Sequence, residues 1–259
     1  MNKVLISSIV RNIEPWAGKF LNSLTHLKNG SLDDVDYLLI EGNSTDETYS
    51  LLNKWVDSCK LNVTLIKHDL PETMDTMDRV MTSIELISDI ELYLTSNMDY
   101  IMLIDADTIE IPNNVLTTLI EDMKKCNADI IAPYVLIAGT DKFYDTYVFR
   151  MNNKKFGHAP PYTPDKETYT TPFEVDSVGT CLLFKSSVFM NVIVENKKYR
   201  EEYQKLKMDG YLGLCKTAKA LGYLIFADPT VRITHANLTT YGLRWHDITY
   251  WYGKSKPLY

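Results

Sequence analysis

The chain has 259 residues, of which 45% are hydrophobic and 24% charged, and this composition is typical of a soluble globular protein. Its length is close to the upper limit for one hydrophobic core, so one domain spanning residues 1–259 is expected. The formal net charge of −7 and the lack of a basic tract argue against nucleic-acid binding, which depends mainly on neutralising phosphates. Any phosphorylated ligand must therefore be held locally, by a metal ion or by a few well-placed cations.

The first half of the chain alternates short apolar runs with stretches of helical periodicity, the pattern of βαβ units and a mostly parallel sheet. Five strands are predicted, at residues 4–10, 37–41, 63–67, 100–105 and 129–134. Helix starts are predicted near Pro15, residues 44–47 and Pro112, and residues 73–94 are predicted to form one long helix. The expected fold class is α/β, with a Rossmann-like sheet flanked by helices.

The second half of the chain is less regular. From Asp141 onward the alternation is interrupted, and Pro160, Pro161 and Pro164 predict a long irregular loop. The elements predicted beyond it are strand material at residues 173–185, a helix at 210–221 ended by Gly222, and short strands at 224–227 and 231–234.

Cysteine spacing and hydropathy bear on where the protein works. The four cysteines, Cys59, Cys126, Cys181 and Cys215, are widely spread without a CxxC pair, so we expect reduced and mostly buried thiols. No apolar stretch approaches the length that spans a bilayer, and the N-terminal apolar run lacks a cleavage site. The sequence suggests a soluble cytoplasmic protein, although a lumenal protein trimmed of its anchor would look similar.

The strand predicted at residues 100–105 ends in two carboxylates, Asp105 and Asp107, separated only by Ala106. Ligands of parallel α/β sheets bind beyond the carboxyl ends of the strands, so this pair lies where a ligand is expected. Carboxylates suit Mn²⁺ or Mg²⁺, which complete their coordination with water and substrate phosphate oxygens. The pair is predicted to clamp a diphosphate through a metal; the alternative is a turn that caps the next helix.

Two earlier strand ends have a related character. Residues 7–14 are polar where the first strand ends, and residues 37–48 place Glu41 before a Gly-Asn-Ser-Thr-Asp turn. Together with the Asp-Ala-Asp motif, these segments resemble the GT-A glycosyltransferases, including family 2-like members, and the match continues to His235. The resemblance implies a GT-A fold in which residues 1–107 bind a nucleotide sugar and residues 108–259 bind the acceptor.

A narrower likeness is found in the second half. Residues 209–223, which read DGYLGLCKTAKALGY, and the Tyr144-Asp145 pair are similar to the fungal Golgi mannan-synthesising α-mannosyltransferases. The membrane anchor of that family is missing here.

The resemblance implies a donor site for a GDP- or UDP-sugar with Mn²⁺ or Mg²⁺. The donor-binding residues that it implies are Ser8, Val10, Arg11, Glu41, Arg79, Asp105 and Ala106. Glu41 would receive the nucleoside, whereas the alternative is a strand-end acid that faces solvent. For Arg11 the alternative is a surface salt bridge. Arg79 follows Asp75 and Asp78 on the predicted long helix, so a local ion pair explains it equally well.

The metal ligands implied by the resemblance are Asp105, Asp107 and His235. An imidazole is an acceptable ligand for Mn²⁺ and a less natural one for Mg²⁺. The alternative for a lone histidine is a structural role.

The catalytic residues implied by the resemblance are Asp209 and Asp176, both on the acceptor side. In inverting relatives an acid at the position of Asp209 takes the proton from the acceptor hydroxyl, which requires a carboxylate within hydrogen-bond reach. An N-cap for the helix that follows is the alternative, and in a retaining enzyme Asp209 would position the acceptor. Asp176 and Gly179 would lie at the floor of the acceptor site, where glycine allows close approach of a sugar.

These residues predict a metal-dependent transfer of a sugar from a nucleotide sugar to a hydroxyl of a glycan or glycoconjugate acceptor. The metal would neutralise the nucleoside diphosphate as it leaves. A sugar nucleotidyltransferase is one alternative, but it carries a Gly-rich basic loop after its first strand, and residues 7–14 contain no glycine. A catalytically silent GT-A domain that binds sugar or scaffolds a partner is the other.

Overall fold

The computed structural model describes residues 2–27, 34–71, 76–95, 97–155, 169–206 and 210–237. The strands in chain order are β1 (Lys3–Val10), β2 (Asp34–Glu41), β3 (Asn62–Lys67), β4 (Tyr100–Ile104), β5 (Thr108–Glu110), β6 (Ile130–Ile137), β7 (Arg150–Met151), β8 (Lys154–Lys155), β9 (Phe173–Glu174), β10 (Cys181–Lys185) and β11 (Ile225–His235). The helices are α1 (Ala17–His26), α2 (Thr48–Ser58), α3 (Thr76–Asp89), α4 (Val115–Cys126), α5 (Ser186–Lys205) and α6 (Gly210–Ala220), and a 3-10 turn at Ile90–Tyr93 follows α3.

Nine of these strands form one mixed sheet in the order β3-β2-β1-β4-β10-β6-β11-β5, with β9 paired to β11. The first four strands in this order are parallel, as their βαβ pattern predicts. Strand β10 then lies antiparallel between β4 and β6, and so joins the two predicted halves of the chain. Strands β7 and β8 form a separate hairpin.

The sheet has an apolar core on both faces, and β4 shows why. All of its residues are buried, and successive side chains point to opposite faces. Met102 and Ile104 pack with α1 and α4, whereas Ile101 and Leu103 pack with α3, α5 and α6. Burying one such side chain contributes roughly 1.5–3 kcal/mol to folding. A strand buried on both faces places whatever follows it at a fixed point on the sheet edge.

The five strands predicted in the first half are confirmed, with ends that differ by a few residues. The strand material predicted at 173–185 is interrupted between β9 and β10, because Thr180 has a left-handed φ of 61° that an extended strand does not adopt. The two short strands predicted at 224–227 and 231–234 are one strand, β11, whose register with β6 shifts between Asp228 and Arg232.

The predicted helices are confirmed in part. The predicted long helix corresponds to α3 and the 3-10 turn, while residues 73–75 and the three prolines of the predicted loop lie outside the described residues. Helix α6 ends as predicted, before Gly222 at a φ of 84°. Helix α5 was not predicted, although Val188, Phe189 and Val192 on it are buried.

The expectations about the cysteines and about a membrane-spanning segment can be compared with the structure. All four cysteines belong to the described residues and are free thiols, with Cys181 and Cys215 buried and Cys59 and Cys126 half-buried. In the part of the chain that the structure describes, no helix combines the length and the apolar character that crossing a membrane requires.

Candidate active site

Asp105 and Asp107 follow β4 at the carboxyl edge of the parallel strands, where the sequence predicts a ligand site. Backbone hydrogen bonds fix the turn that carries them. The Asp105 N–H donates to the Thr180 carbonyl at 2.8 Å, and the Ala236 N–H donates to the Asp107 carbonyl at 2.7 Å. The residues just before β10 and just after β11 therefore hold the backbone of the motif from two sides.

His235 ends β11 with its ring against this motif. Its Nε2 lies 2.8 Å from Oδ2 of Asp107, and its Nδ1 lies 2.8 Å from the carbonyl oxygen of Ala236. Because a carbonyl only accepts, Nδ1 carries a proton and Nε2 is the nitrogen directed at Asp107. Burial, the largest single influence, lowers the pKa of His235, but the charge of Asp107, the hydrogen bonds to Asp107 and Ala236, and the charge of Asp105 together leave this pKa raised. The ring of Tyr144 stacks on the imidazole with centroids 3.6 Å apart.

The carboxylate of Asp105 is bound from another direction. The hydroxyl of Tyr211, on α6, donates a hydrogen bond of 2.7 Å to Oδ1 of Asp105. Burial, followed by the charge of Asp107, raises the pKa of Asp105, although the bond from Tyr211 acts in the opposite direction. Burial also raises the pKa of Tyr211 well above its ordinary value, so the phenol is a neutral donor.

A third carboxylate, Asp145, is buried beside the motif. Its charge contributes to the raised pKa of Asp105. A Cβ on Gly179 would lie 2.9 and 3.0 Å from the two carboxylate oxygens of Asp145, so only glycine leaves room for this side chain. The sequence pattern drew attention to Asp145 but assigned it no role. We refer to Asp105, Asp107, Asp145 and His235 as the acidic cluster.

The donor set of the acidic cluster suits a divalent cation. Carboxylate oxygens and a neutral imidazole are ligands for Mn²⁺. The 2.8 Å between His235 Nε2 and Asp107 Oδ2 is close to the ~3 Å that separates neighbouring ligands in an octahedral shell. In the part of the chain that the structure describes, however, no group of three or more His, Cys, Asp or Glu side chains is arranged so that it could hold a metal ion. Asp107 and His235 are in contact, while Asp105 is held by Tyr211.

Glu41 ends β2 and is fully buried, so it is not the solvent-facing acid that the sequence left as an alternative. Its Oε1 accepts a hydrogen bond of 2.6 Å from the Ser44 N–H. Its Oε2 is also buried and has no hydrogen-bond partner among the described residues. Arg11 lies nearby: burial lowers its pKa, the charge of Glu41 opposes this, and its guanidinium donates to the Pro71 carbonyl at 2.6 Å.

The loops after β1 and β2 are bonded to each other. Asn12 donates its N–H to Ser44 Oγ at 3.0 Å, and its side-chain oxygen accepts from the Thr45 N–H at 2.9 Å. Asn12 and Asn43 have left-handed φ values of 51° and 56°, which asparagine tolerates better than most residues. This pairing of the two loops was not predicted from the sequence. The sequence feature that accompanies it is an asparagine two residues beyond the end of each strand.

The remaining donor-site candidates lie in or near this edge. Ser8 and Val10 are buried within β1, and the Val10 carbonyl accepts from the Gly42 N–H at 2.9 Å. The Ala106 carbonyl accepts a hydrogen bond of 3.1 Å from the indole N–H of Trp16. This bond joins the loop after β1 to the turn formed by Asp105, Ala106 and Asp107. Arg79 lies on α3, but its side chain is outside the described residues.

Of the two acceptor-side candidates, the structure describes only Asp176. Asp209 lies outside the described residues, immediately before α6. Oδ2 of Asp176 accepts a hydrogen bond of 2.7 Å from the N–H of Asn153, in the turn between β7 and β8. The structure therefore gives Asp176 a local partner in the hairpin and joins it to no member of the acidic cluster by a bond.

A shallow groove of about 510 Å³ lies between α1 and the β5–β11 edge of the sheet. Lys19, Ile111 and Arg232 are among the residues that line it. None of the candidate site residues named above lines this groove, so it is separate from the acidic cluster.

No protein-family model matches this sequence, and no curated protein matches it significantly. Solved structures do match. GalNAc-T7, crystallised with UDP, GalNAc and Mn²⁺, aligns with a TM-score of 0.65 at 11% identity, over 98% of this chain and 45% of that one. S. aureus TarS 1-349 aligns with a TM-score of 0.54 at 11% identity, over 90% of this chain and 60% of that one.

The mannosyltransferase PcManGT from Pyrobaculum calidifontis, solved with GDP-Man and Mn²⁺, aligns with a TM-score of 0.52 at 12% identity, over 90% of this chain and 56% of that one. This chain thus spans between 45% and 60% of the length of these three proteins. Identities of 11% and 12% establish the fold alone. The chain has the GT-A fold that its strand-end motifs predict.

Proposed function

We propose that this chain is a metal-dependent glycosyltransferase, which moves a sugar from a nucleotide sugar to a hydroxyl of a glycan or glycoconjugate. The observation that carries the proposal is the junction of two groups of side chains at one sheet edge. Glu41 ends β2 and Arg11 follows β1, while Asp105 and Asp107 of the acidic cluster follow β4, the other neighbour of β1. The bond from Trp16 to the Ala106 carbonyl joins the loop after β1 to the turn that carries Asp105 and Asp107.

The donor class is proposed from this edge and from the solved structures together. The acidic cluster supplies ligands for a cation, and a diphosphate needs one in a protein of net charge −7. GalNAc-T7 was solved with UDP and Mn²⁺, and PcManGT with GDP-Man and Mn²⁺. We therefore assign a UDP- or GDP-sugar and Mn²⁺, with Mg²⁺ as the second choice because an imidazole is a less natural ligand for it.

The proposed roles follow from the contacts of each side chain. Asp105, Asp107 and His235 are the proposed ligands of the ion, and Tyr211 holds the orientation of Asp105. A divalent ion bound there would neutralise charge on the departing nucleoside diphosphate.

Two donor-side residues complete the proposed binding site. Arg11 adds a positive charge near the end of β1. Glu41 shapes the turn after β2 through Ser44, and its Oε2 is the acceptor proposed for a hydrogen bond from the nucleoside.

On the acceptor side we propose Asp209 as the acid that binds or deprotonates the acceptor hydroxyl, because α6 begins at the next residue and carries Tyr211 to the acidic cluster. The contact of Asp176 with Asn153 supports a structural role for Asp176 instead. Tyr144 and Asp145 carry the likeness to the mannan-synthesising enzymes, so GDP-mannose is the first donor to test. Tyr144 stacks on His235, and Asp145 belongs to the acidic cluster.

The test is release of nucleoside diphosphate from a panel of UDP-, GDP- and TDP-sugars, with Mn²⁺ present or chelated, alongside calorimetric titration of each nucleotide. Turnover of one donor that is lost on chelation supports the proposal. Mn²⁺-dependent nucleotide binding without turnover identifies a silent GT-A domain. Pyrophosphate formation from a nucleoside triphosphate and a sugar phosphate identifies a nucleotidyltransferase, and absence of any nucleotide binding overturns the proposal.

A further inference from the structure

Helix α6 is packed so closely that it has little freedom to rotate or slide. A Cβ on Gly210, its first residue, would lie 2.8 Å from Cδ1 of Ile87 on α3. A Cβ on Gly213 would lie 3.1 Å from the ring of Tyr203 on α5. Because both neighbours belong to packed helices, the backbone of α6 is in contact with α3 and α5 at its first turn.

Tyr211 lies between these two glycines. Its hydroxyl donates to Oδ1 of Asp105 at 2.7 Å, across 106 residues of sequence. An aromatic ring has only two side-chain torsions, so a fixed helix leaves the phenol oxygen little room to move. The helix thus determines the position of one oxygen of the Asp105 carboxylate.

Asp105 needs such a partner because of its neighbours. The negative charges of Asp107 and Asp145 lie close to Asp105, and both disfavour the ionised form of Asp105. A hydrogen bond from a neutral donor holds the carboxylate in one rotamer without adding charge to the cluster. Groups that orient metal ligands in this way typically change metal affinity by about 10–100-fold when they are removed.

We propose that Tyr211 is a positioning residue of the metal site, whose hydroxyl fixes the orientation of Asp105 and so links helix α6 to metal binding. The inference rests on the proposed function, because it requires the acidic cluster to bind an ion. It adds to that function a residue outside the ligand set, from the helix that follows the proposed acceptor acid.

A matched control is available on the neighbouring helix α5. Tyr203 is buried there, and its hydroxyl forms a hydrogen bond of 2.8 Å with Oγ1 of Thr217 on α6. Tyr203→Phe and Tyr211→Phe each remove one hydrogen-bonded hydroxyl that contacts or belongs to α6. Only the second of these hydroxyls is bonded to a member of the acidic cluster.

The experiment measures Mn²⁺ affinity from the electron paramagnetic resonance signal of free Mn²⁺, and thermal unfolding in chelator, for wild type and both variants. We expect Tyr211→Phe to weaken Mn²⁺ binding by about 10–100-fold, with a loss of thermal stability no larger than that of Tyr203→Phe. Tyr203→Phe should leave the Mn²⁺ affinity within about twofold of wild type, since it touches no ligand.

A double-mutant cycle with Asp105→Asn separates positioning from general loosening. If Tyr211 acts through Asp105, Tyr211→Phe has little further effect on Mn²⁺ affinity in the Asp105→Asn background. Equal Mn²⁺ affinity of Tyr211→Phe and wild type, or equal weakening by both phenylalanine variants, overturns the inference and leaves the proposed function intact. A wild-type protein that binds no Mn²⁺ overturns the proposed function itself.

Discussion

The proposed donor side, which is formed by the loops after β1 and β2, and the proposed metal side, which is the acidic cluster, are held by different kinds of contact. On the donor side, the two loops bond to each other mainly through backbone N–H groups, across separations of 32 and 33 residues. On the metal side, Tyr144, Tyr211 and His235 come from three distant segments and contact one another or the half-buried carboxylates of Asp105 and Asp107.

This difference has an energetic consequence. The N–H groups of these loops donate to acceptors within the protein, and each such hydrogen bond contributes about 1 kcal/mol. On the metal side, burial raises the pKa of Asp105, and the neighbouring negative charges of Asp107 and Asp145 raise it further. We expect the donor side to be stable alone and the metal side to depend on a cation or on protons.

The largest expected effect comes from breaking the metal side. Asp107→Asn should abolish measurable Mn²⁺ binding and lower Mn²⁺-dependent donor turnover by about 10²–10³-fold, because a neutral amide is a poor substitute for a charged ligand. The matched control is Asp46→Asn on the donor side, where Asp46 accepts from the N–H groups of Thr48 and Glu14. That variant should lose about 1 kcal/mol of stability and keep its Mn²⁺ affinity. Similar Mn²⁺ affinities for wild type and Asp107→Asn would contradict the ligand assignment.

The next effect concerns pH. The pKa values of Asp105 and His235 are raised, so both groups hold protons to higher pH in the metal-free protein, and Mn²⁺ must displace those protons. We expect Mn²⁺ affinity to rise with pH between about pH 6 and about pH 8, by up to about tenfold per unit for each proton released.

The stability of the metal-free protein should have the opposite dependence. A folded pKa above the unfolded value gives stability that is present at low pH and lost as pH rises through the folded pKa. Denaturant unfolding in chelator, repeated across this pH range, measures it. A metal-free stability that increases with pH would show that these protons are not bound as described.

A smaller effect tests the space beside Asp145. A Cβ on Gly179 would also lie 3.1 Å from Cβ of Val148, so Gly179→Ala should destabilise the protein by about 1–3 kcal/mol and disturb Asp145. Gly18→Ala is the control, because its Cβ would meet nothing within 4 Å on an exposed position of α1. It should stabilise by about 0.5–1 kcal/mol. Chemical denaturation distinguishes the two, and equal stabilities would refute the crowding at Gly179.

The smallest expected effect is at Asp176. Since Oδ2 of Asp176 accepts from the Asn153 N–H, Asp176→Asn should cost about 1 kcal/mol of stability and change turnover by less than about twofold. Thermal unfolding and the donor-turnover assay measure the two quantities. A large loss of turnover with unchanged stability would instead support the catalytic role of Asp176 that the resemblance implies.

The sequence predicted the strands of the parallel half of the sheet well because the information for them is local. Apolar runs identify β1, β2 and β4, and the carboxyl ends of parallel strands meet at one edge, so Glu41 and Asp105 could be brought together without coordinates. Helix α5 was not predicted because its apolar residues lie in its first half. Its second half is almost wholly polar and so shows no apolar periodicity. The break between β9 and β10 depends on the left-handed φ of Thr180, which no residue type there signals.

The sequence by itself determined the fold class, the position of the acidic motif and the association of His235 with it. Only the tertiary structure decided that Tyr211 contacts Asp105, that Tyr144 covers His235 and that Asp145 is buried against Gly179. The physical reason is the separation in sequence of the residues involved. Strand periodicity is encoded by a few neighbouring residues, whereas these contacts depend on how α6 and the segments between β6 and β10 pack against the complete sheet.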